Sequence, residues 1–269
     1  MKIFLTGDTG YVGKRLLIQL LEEGHHVVCS VRDRKRLSLK LYQNHLEKIQ
    51  IIENDFLDEN SLQNIPHDID FAYYLVHSMS SGSGNFSEKE RISAENFRKA
   101  LEKTSVKQVV FLTGIINEEK LSEHLQSRKN VEQALKSQKY ALTCLRAGII
   151  VGSGSASFEI IRDLVEKLPI MVAPKWLKTK CQPIAIRNVI QFLTKVLGVE
   201  KTYNQNYDIA SQDVLTYKEM LLQYAEVRGL KRWIFTVPVM TPKLSSYWLY
   251  FITSTTYSLA VNLVDSMKI

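Results

Sequence analysis

The sequence predicts an α/β fold, a doubly wound parallel sheet with a small C-terminal lobe. Three observations point there. Short apolar runs alternate with amphipathic helical stretches through the first half of the chain and a little beyond, the pattern of βαβ units joined by right-handed crossovers. The first run, KIFLT, opens straight into the glycine-rich turn of FLTGDTGYVGKRLL and then into a helix. A chain of 269 residues, 45% hydrophobic and 23% charged, is ordinary globular material, long enough for one large α/β domain with a lobe and unlike a disordered or fibrous chain.

Taken in order, KIFLT is the first strand. Val12, Leu16, Leu17, Leu20 and Leu21 then recur at helical spacing up to Gly24, a C-cap residue. HVVCSV reads as a buried second strand, 32–45 as a helix with Leu37, Leu41 and Leu46 inward, IQIIE as the third strand and FAYYLV as the fourth. After the flexible SMSSGSGNFS, residues 87–104 form an amphipathic helix with Ile92, Phe97, Ala100 and Leu101 on its apolar face. VKQVVFLTG is the fifth strand, 121–137 a helix, and YALTCLRAGII the sixth strand. The expected division is 1–155 for the sheet domain and 156–269 for a smaller lobe integrated with it.

Past Gly154 the rhythm loosens. A helix at 155–168, the strand IMVAP, KCQPIAI, a helix at 187–197, YDIAS, a helix at 216–228 and WIFTVP read as short elements of a lobe over the carboxyl end of the sheet. Residues 244–264 carry no charge, yet their serines, threonines, tyrosines and Asn262 are too polar for a span of ~20 residues. They read as a buried or interface helix, a candidate contact for a protein partner, with membrane association the less favoured alternative. The end at Ile269 comes without a capping signal, which leaves room for a further C-terminal domain.

The formal net charge of +7 comes mostly from the back half: 21 basic against 19 acidic side chains stand in the first 150 residues, 14 against 9 after them. With no block of arginine and lysine and no aromatic interleaving, this reads as a solvated surface, not a nucleic-acid face. Cys29, Cys144 and Cys181 are far apart and two lie in apolar runs. They read as reduced cysteines of a cytoplasmic protein, without metal-ligand spacing. No secretory leader is expected from the way Met1 runs directly into the first strand.

Glycines at Gly7, Gly10 and Gly13 suit three needs of a strand-to-helix turn that carries a diphosphate: a tight bend, close approach of backbone to phosphate, and close packing of helix on strand. The bare spacing is weak, but this turn follows a strand, opens a helix and belongs to the first βαβ unit. Thr9, Tyr11 and Val12 complete the loop. A Rossmann-type dinucleotide site is therefore expected. The second strand ends in SVRD, where an NAD site places an acid on the ribose 2′-OH; Arg32 stands there instead and would pair with a 2′-phosphate. NADP is the expected cofactor, and Asp33 leaves room for NAD.

The spacing T-G-x-x-G-x-x-G over 6–13 resembles the short-chain dehydrogenase/reductase superfamily, over about the first 155 residues. On that resemblance Asp55 of NDFLD would bond the adenine amine and Phe56 would lie along the ring. YLVHSM, LTG at 112–114 and LRAGIIVGSGS at 145–155 are similar to the family's cofactor-lining segments, which implicates Leu75, Val76, His77, Thr113, Ala147 and Gly148. YYLVHSM, SEHLQSRKNVE and CQPIAIRNVI together resemble the atypical, NmrA-like branch, most closely its YbjT-type members. The branch binds NAD(P), and many of its members have no established reaction.

The departure is at the catalytic pair. Active members keep a tyrosine and a lysine four apart on the helix after the fifth strand; alignment puts His124 and Arg128 at those positions. His124 could donate a proton, since an imidazole titrates near neutrality, or could be a polar helix residue with no chemistry. Arg128 could hold the nicotinamide ribose. Thr113 could bond a substrate carbonyl or cap its strand, and Gln182 could border the substrate or be a satisfied core residue. The apolar Phe158, Ile161, Trp176 and Leu177 suggest a hydrophobic small-molecule ligand, or simply core. The expectation is an NADP-dependent oxidoreductase acting on a carbonyl, quinone or flavin-like acceptor. The alternatives are an NADP(H)-sensing or assembly protein, and an epimerase or dehydratase of the nucleotide-sugar type.

Overall fold

The computed structural model describes residues 1–76, 86–115, 123–237 and 253. The alternation runs β1 (Lys2–Thr6), α1 (Tyr11–Glu22), β2 (His26–Val31), β3 (Ile49–Glu53), β4 (Phe71–Tyr74), α2 (Phe86–Leu101), β5 (Gln108–Gly114), α3 (Glu123–Ala134) and β6 (Ala141–Ala147). Then come β7 (Ile150–Val151), α4 (Ala156–Lys167), β8 (Ile170–Pro174), β9 (Lys180–Cys181), β10 (Ile184–Ala185), α5 (Ile186–Lys195), β11 (Asn206–Ile209), β12 (Leu215–Thr216), α6 (Tyr217–Val227) and β13 (Trp233–Val237).

Seven strands form one sheet in the order β11-β6-β5-β4-β1-β2-β3, and every neighbouring pair is parallel. A parallel sheet is covered on both faces, so its strands read as continuous apolar runs without alternation. The leucines of α1 and Val189 and Leu193 of α5 cover one face. Phe97 and Leu101 of α2, with Val131 of α3, cover the other, where the Phe97 ring meets Tyr74 at 4.8 Å and Phe4 at 6.0 Å between centroids. Strand order reverses between β1 and β4, and a crevice opens outside the carboxyl ends of the strands at such a switch point.

Two expectations change. The first concerns the elements expected in the lobe after Gly154. β11 instead pairs with β6 as an edge of the main sheet, and α5 packs in the layer with α1. Gln108, fully buried at the base of β5, draws this part of the chain in. Its amide nitrogen donates toward Thr143 Oγ1 at 2.8 Å and the Val196 carbonyl at 3.1 Å, while its oxygen accepts from the Gly198 N–H at 2.8 Å. The lobe is left with α4, α6, β8 and β13 around Ile160, Leu164, Met171, Leu221 and Ile234.

The second concerns the helix at 32–45. The chain there makes two 3₁₀ segments, Arg34–Arg36 and Leu39–Lys48, with non-helical backbone at Tyr42 and His45. A tighter, interrupted winding does not keep residues four and five apart on one face. Leu37 is buried, Leu41 and Leu46 are 63% and 47% exposed, and Tyr42 takes the inward place. The serine/glycine loop and the apolar stretch at 244–264 lie outside the described residues, apart from Thr253. Among the described residues, no helix is long and apolar enough to cross a membrane.

Candidate dinucleotide site

At the end of β1 the Thr6 hydroxyl donates to the Tyr73 carbonyl at 3.0 Å and accepts from the Leu75 N–H at 3.1 Å. This pair of bonds fixes β1 against β4, the two strands that flank the switch point. The chain then turns through Gly7 in the left-handed region, φ 72°, where a Cβ would lie 2.5 Å from the Leu75 oxygen. The Gly10 N–H closes the turn on the Gly7 carbonyl at 2.9 Å. A Cβ on Gly13 would stand 2.1 Å from that same oxygen, so only glycine lets α1 pack this close to the loop. Gly10 is the N-cap of α1 and supplies no side-chain cap. The first-turn N–H groups therefore carry the positive end of the helix into the crevice, free for an anion.

A cleft of about 750 Å³ lies over this loop. On the β2–β3 side it is lined by Ser30, Val31, Arg32, Arg36, Asn54 and Phe56, and on the β5–β6 side by Leu112, Thr113, Gly114, Arg128, Ala147, Gly148 and Ile150. Between them lie the loop residues 7–13 with Leu75 and Val76. Five of the lining side chains have buried polar atoms with no hydrogen-bond partner among the described residues: Asp8 Oδ2, Tyr11 Oη, Ser30 Oγ, both amide atoms of Asn54, and Thr113 Oγ1. Buried polar groups are normally paired, so five along one cleft mark a surface built to be completed by a polar ligand.

Burial dominates the electrostatics under the loop. Asp8 is 1% exposed, and loss of water pushes its carboxyl up to about 7, against the pull of the Asp8 and Thr9 N–H groups and the Cys29 thiol. Burial and the adjacent Asp8 push the Cys29 thiol up in turn, and the Tyr42 hydroxyl rises to about 12. At the β5–β6 end the Arg128 guanidinium, 5% exposed, lies 3.7 Å from Glu90 and donates to the Val76 carbonyl at 3.3 Å. Burial lowers its pKa and Glu90 opposes that shift.

Of the residues singled out in the sequence, Gly7, Thr9, Gly10, Tyr11, Val12, Gly13, Arg32, Phe56, Leu75, Val76, Thr113, Arg128, Ala147 and Gly148 line this one cleft. Asp55 does not. Its carboxylate accepts the Leu57 N–H at 3.0 Å in a local turn and faces Arg32 at 3.9 Å on the exposed side. Gln182 also stands off the cleft wall: its side-chain amide nitrogen donates to the Ser211 carbonyl at 3.0 Å, while its backbone carbonyl packs against Gly148, leaving no space for a Cβ there. His77 and the side chain of His124 lie outside the described residues; the backbone of His124 belongs to the first turn of α3.

Sequence reasoning missed Asp8, Ser30, Arg36 and Asn54. Arg36 and Asn54 each had a signal, one in the cationic run after Arg32, the other beside Asp55 in NDFLD. Ser30 and Asp8 had none, because nothing in a single sequence says which polar side chains of a buried strand or loop remain unpaired.

Fold and cleft together define a nucleotide-binding α/β protein of Rossmann type. Residues 7–162 match the family model described as NAD(P)H-binding, more than half of the chain, and the protein belongs to that family. No curated protein sequence matches it. Among solved structures it is similar to triphenylmethane reductase of Citrobacter sp. complexed with NADP(H), at 18% identity and TM-score 0.76 over 99% of this chain and 90% of that one. It is also similar to a nucleoside-diphosphate-sugar epimerase of Staphylococcus aureus, at 15% identity and TM-score 0.73 over 100% and 90%. A third is UDP-glucuronic acid 4-epimerase of Bacillus cereus with UDP-glucuronic acid and NAD, at 15% identity and TM-score 0.66 over 100% and 99%. At these identities the likeness is one of fold.

Proposed function

We propose that the protein is an NADP(H)-dependent oxidoreductase of the atypical short-chain dehydrogenase/reductase type, acting in the cytoplasm on an apolar carbonyl, quinone or flavin-like acceptor. One observation carries the reading: a single cleft offers two arginines and an unpaired serine hydroxyl at the β2–β3 end, and a buried arginine with an unpaired threonine hydroxyl at the β5–β6 end. The first set suits a 2′-phosphate and the second the nicotinamide half of the same molecule. Asn54 and Phe56 offer an amide and an aromatic edge to the adenine, and the α1 N-terminus faces the diphosphate.

When bound, the nicotinamide supplies or accepts hydride. The chain's own part is to orient and to handle the proton. Thr113 Oγ1 can donate to an acceptor oxygen, and Arg128 fixes the ribose side of the cleft. The proton comes from His124 or from water, since a guanidinium stays charged and does not act as an acid near neutrality. The reading is tested by titrating the protein with NADPH and NADH, then following NADPH oxidation against a panel of quinones, flavins and aldehydes. The expected result is at least about tenfold tighter binding of NADPH and turnover with one acceptor class. Equal affinity and no turnover with any acceptor would overturn it.

A second reading, an NADP(H)-sensing or assembly protein, is favoured by Arg128 itself. It occupies the position where the dehydrogenases keep the lysine that lowers the pKa of their tyrosine, and the resemblance supplies no tyrosine for it to act on. Turnover separates the two readings.

A further inference from the structure

We infer that Glu90, on α2 and outside the cleft wall, is a positioning residue that aims Arg128 at the nicotinamide-side ribose. The inference rests on reading the cleft as an NADP(H) site. Glu90 and Arg128 are each 5% exposed and come from different helices, with 3.7 Å between carboxylate oxygen and Nη1. Glu90 is itself held: the Ser127 hydroxyl, 1% exposed, donates to its other carboxylate oxygen at 2.7 Å. Two successive residues of α3 thus grip one carboxylate of α2. The same Nη1 donates to the Val76 carbonyl at 3.3 Å, and the guanidinium carbon lies 5.9 Å from the Phe111 ring centroid.

A buried ion pair is weak evidence for stability, because desolvation of both charges offsets their attraction. This one is better explained by orientation. A guanidinium is a planar fork of five donors. With Nη1 held between the Glu90 carboxylate and the Val76 carbonyl, the donors on Nε and Nη2 are left for the cleft that the side chain lines. Acceptors of the right kind are the ribose hydroxyl oxygens of the nicotinamide half. The adenine and 2′-phosphate end is lined by other residues, on the far side of β1 in the sheet order. Glu90 should therefore matter for one half of the ligand and not for the other.

The test compares two ligands on the intact protein: NADPH, and 2′,5′-ADP, which has the adenine half and the 2′-phosphate but no nicotinamide ribose. E90Q is expected to weaken NADPH about tenfold, the loss of a charge-assisted contact, while 2′,5′-ADP stays within about twofold. The nicotinamide fluorescence of bound NADPH should shift toward that of free NADPH. E90D should recover part of the lost affinity. If E90Q does not fold, S127A, which removes only the grip on Glu90, should show the same split at about threefold. Equal weakening of both ligands, or of neither, overturns the inference. A wild-type protein that binds 2′,5′-ADP and not NADPH overturns it too. A wild-type protein that binds neither overturns the site reading beneath it.

Discussion

Gly13 of α1 faces the Gly7 carbonyl so closely that a Cβ on Gly13 would lie 2.1 Å from its oxygen and 2.8 Å from the Asp8 Cα. Both neighbours are backbone and cannot swing aside. Gly13→Ala should lower stability by about 2–3 kcal/mol, the range of an overpacked core, and open the loop enough to weaken NADPH more than tenfold. Gly24 has positive φ but nothing within 4 Å, so Gly24→Ala should cost only the conformational strain of about 1–2 kcal/mol and leave NADPH affinity unchanged. Thermal melts with ligand titrations check both.

Arg32 and Arg36 line the same end of the cleft, and Arg32 is only loosely held, 3.9 Å from an exposed Asp55. Its guanidinium can turn to a phosphate at little cost. Each arginine changed to alanine should weaken NADPH about tenfold and NADH by less than about twofold. An equal loss for both dinucleotides would remove these residues from the 2′-phosphate site.

Asp8 makes stability depend on pH in a stated direction. Its carboxyl is raised from 3.8 to about 7 by burial, so between those values the folded protein keeps a proton that the unfolded chain has lost. The stabilisation from that proton is complete below about pH 4 and disappears as the pH climbs through about 7, after which a buried charge remains. Asp8→Asn, which cannot ionise, should gain on the wild type from about pH 4 to about pH 7, by up to about 4 kcal/mol in all. A wild-type minus variant difference in Tm that stays flat over this range would contradict the assignment.

Gln108 joins β5 and β6 to the α5–β11 connection through Thr143, Val196 and Gly198. Gln108→Ala removes the bonds of a fully buried side chain to Thr143, Val196 and Gly198 and leaves a void in its place, which should cost about 2–3 kcal/mol, read as a lower urea midpoint. The melt should remain a single transition, because β11 belongs to the main sheet. A second transition appearing in the variant would separate the two parts.

How much of this was legible beforehand follows from the range of each interaction. The strands of the sheet were legible because burial on both faces writes an unbroken apolar run, and the glycine loop because Gly10 and Gly13 answer to backbone within a few residues of themselves and the loop sits between a strand and a helix. Arg128 was legible as a cleft residue only through the family resemblance, which aligns it with the lysine of the dehydrogenases. The kinked 3₁₀ course after Arg32 was not, since leucines at 37, 41 and 46 suit an α-helix equally well and only Tyr42, packed inward near Cys29 and Asp8, decides against it.

The sequence by itself determined the βαβ order, the placement of the phosphate loop at the first strand, and the cationic character of the β2 terminus, all properties of neighbouring residues. Tertiary structure alone decided that β11 closes the sheet beside β6, that Asn54 and Ser30 line one cleft with Thr113, and that Glu90 meets Arg128. Those relationships join residues tens of positions apart, and a side chain's partner across such a distance depends on how whole layers pack, which no local pattern of residues records.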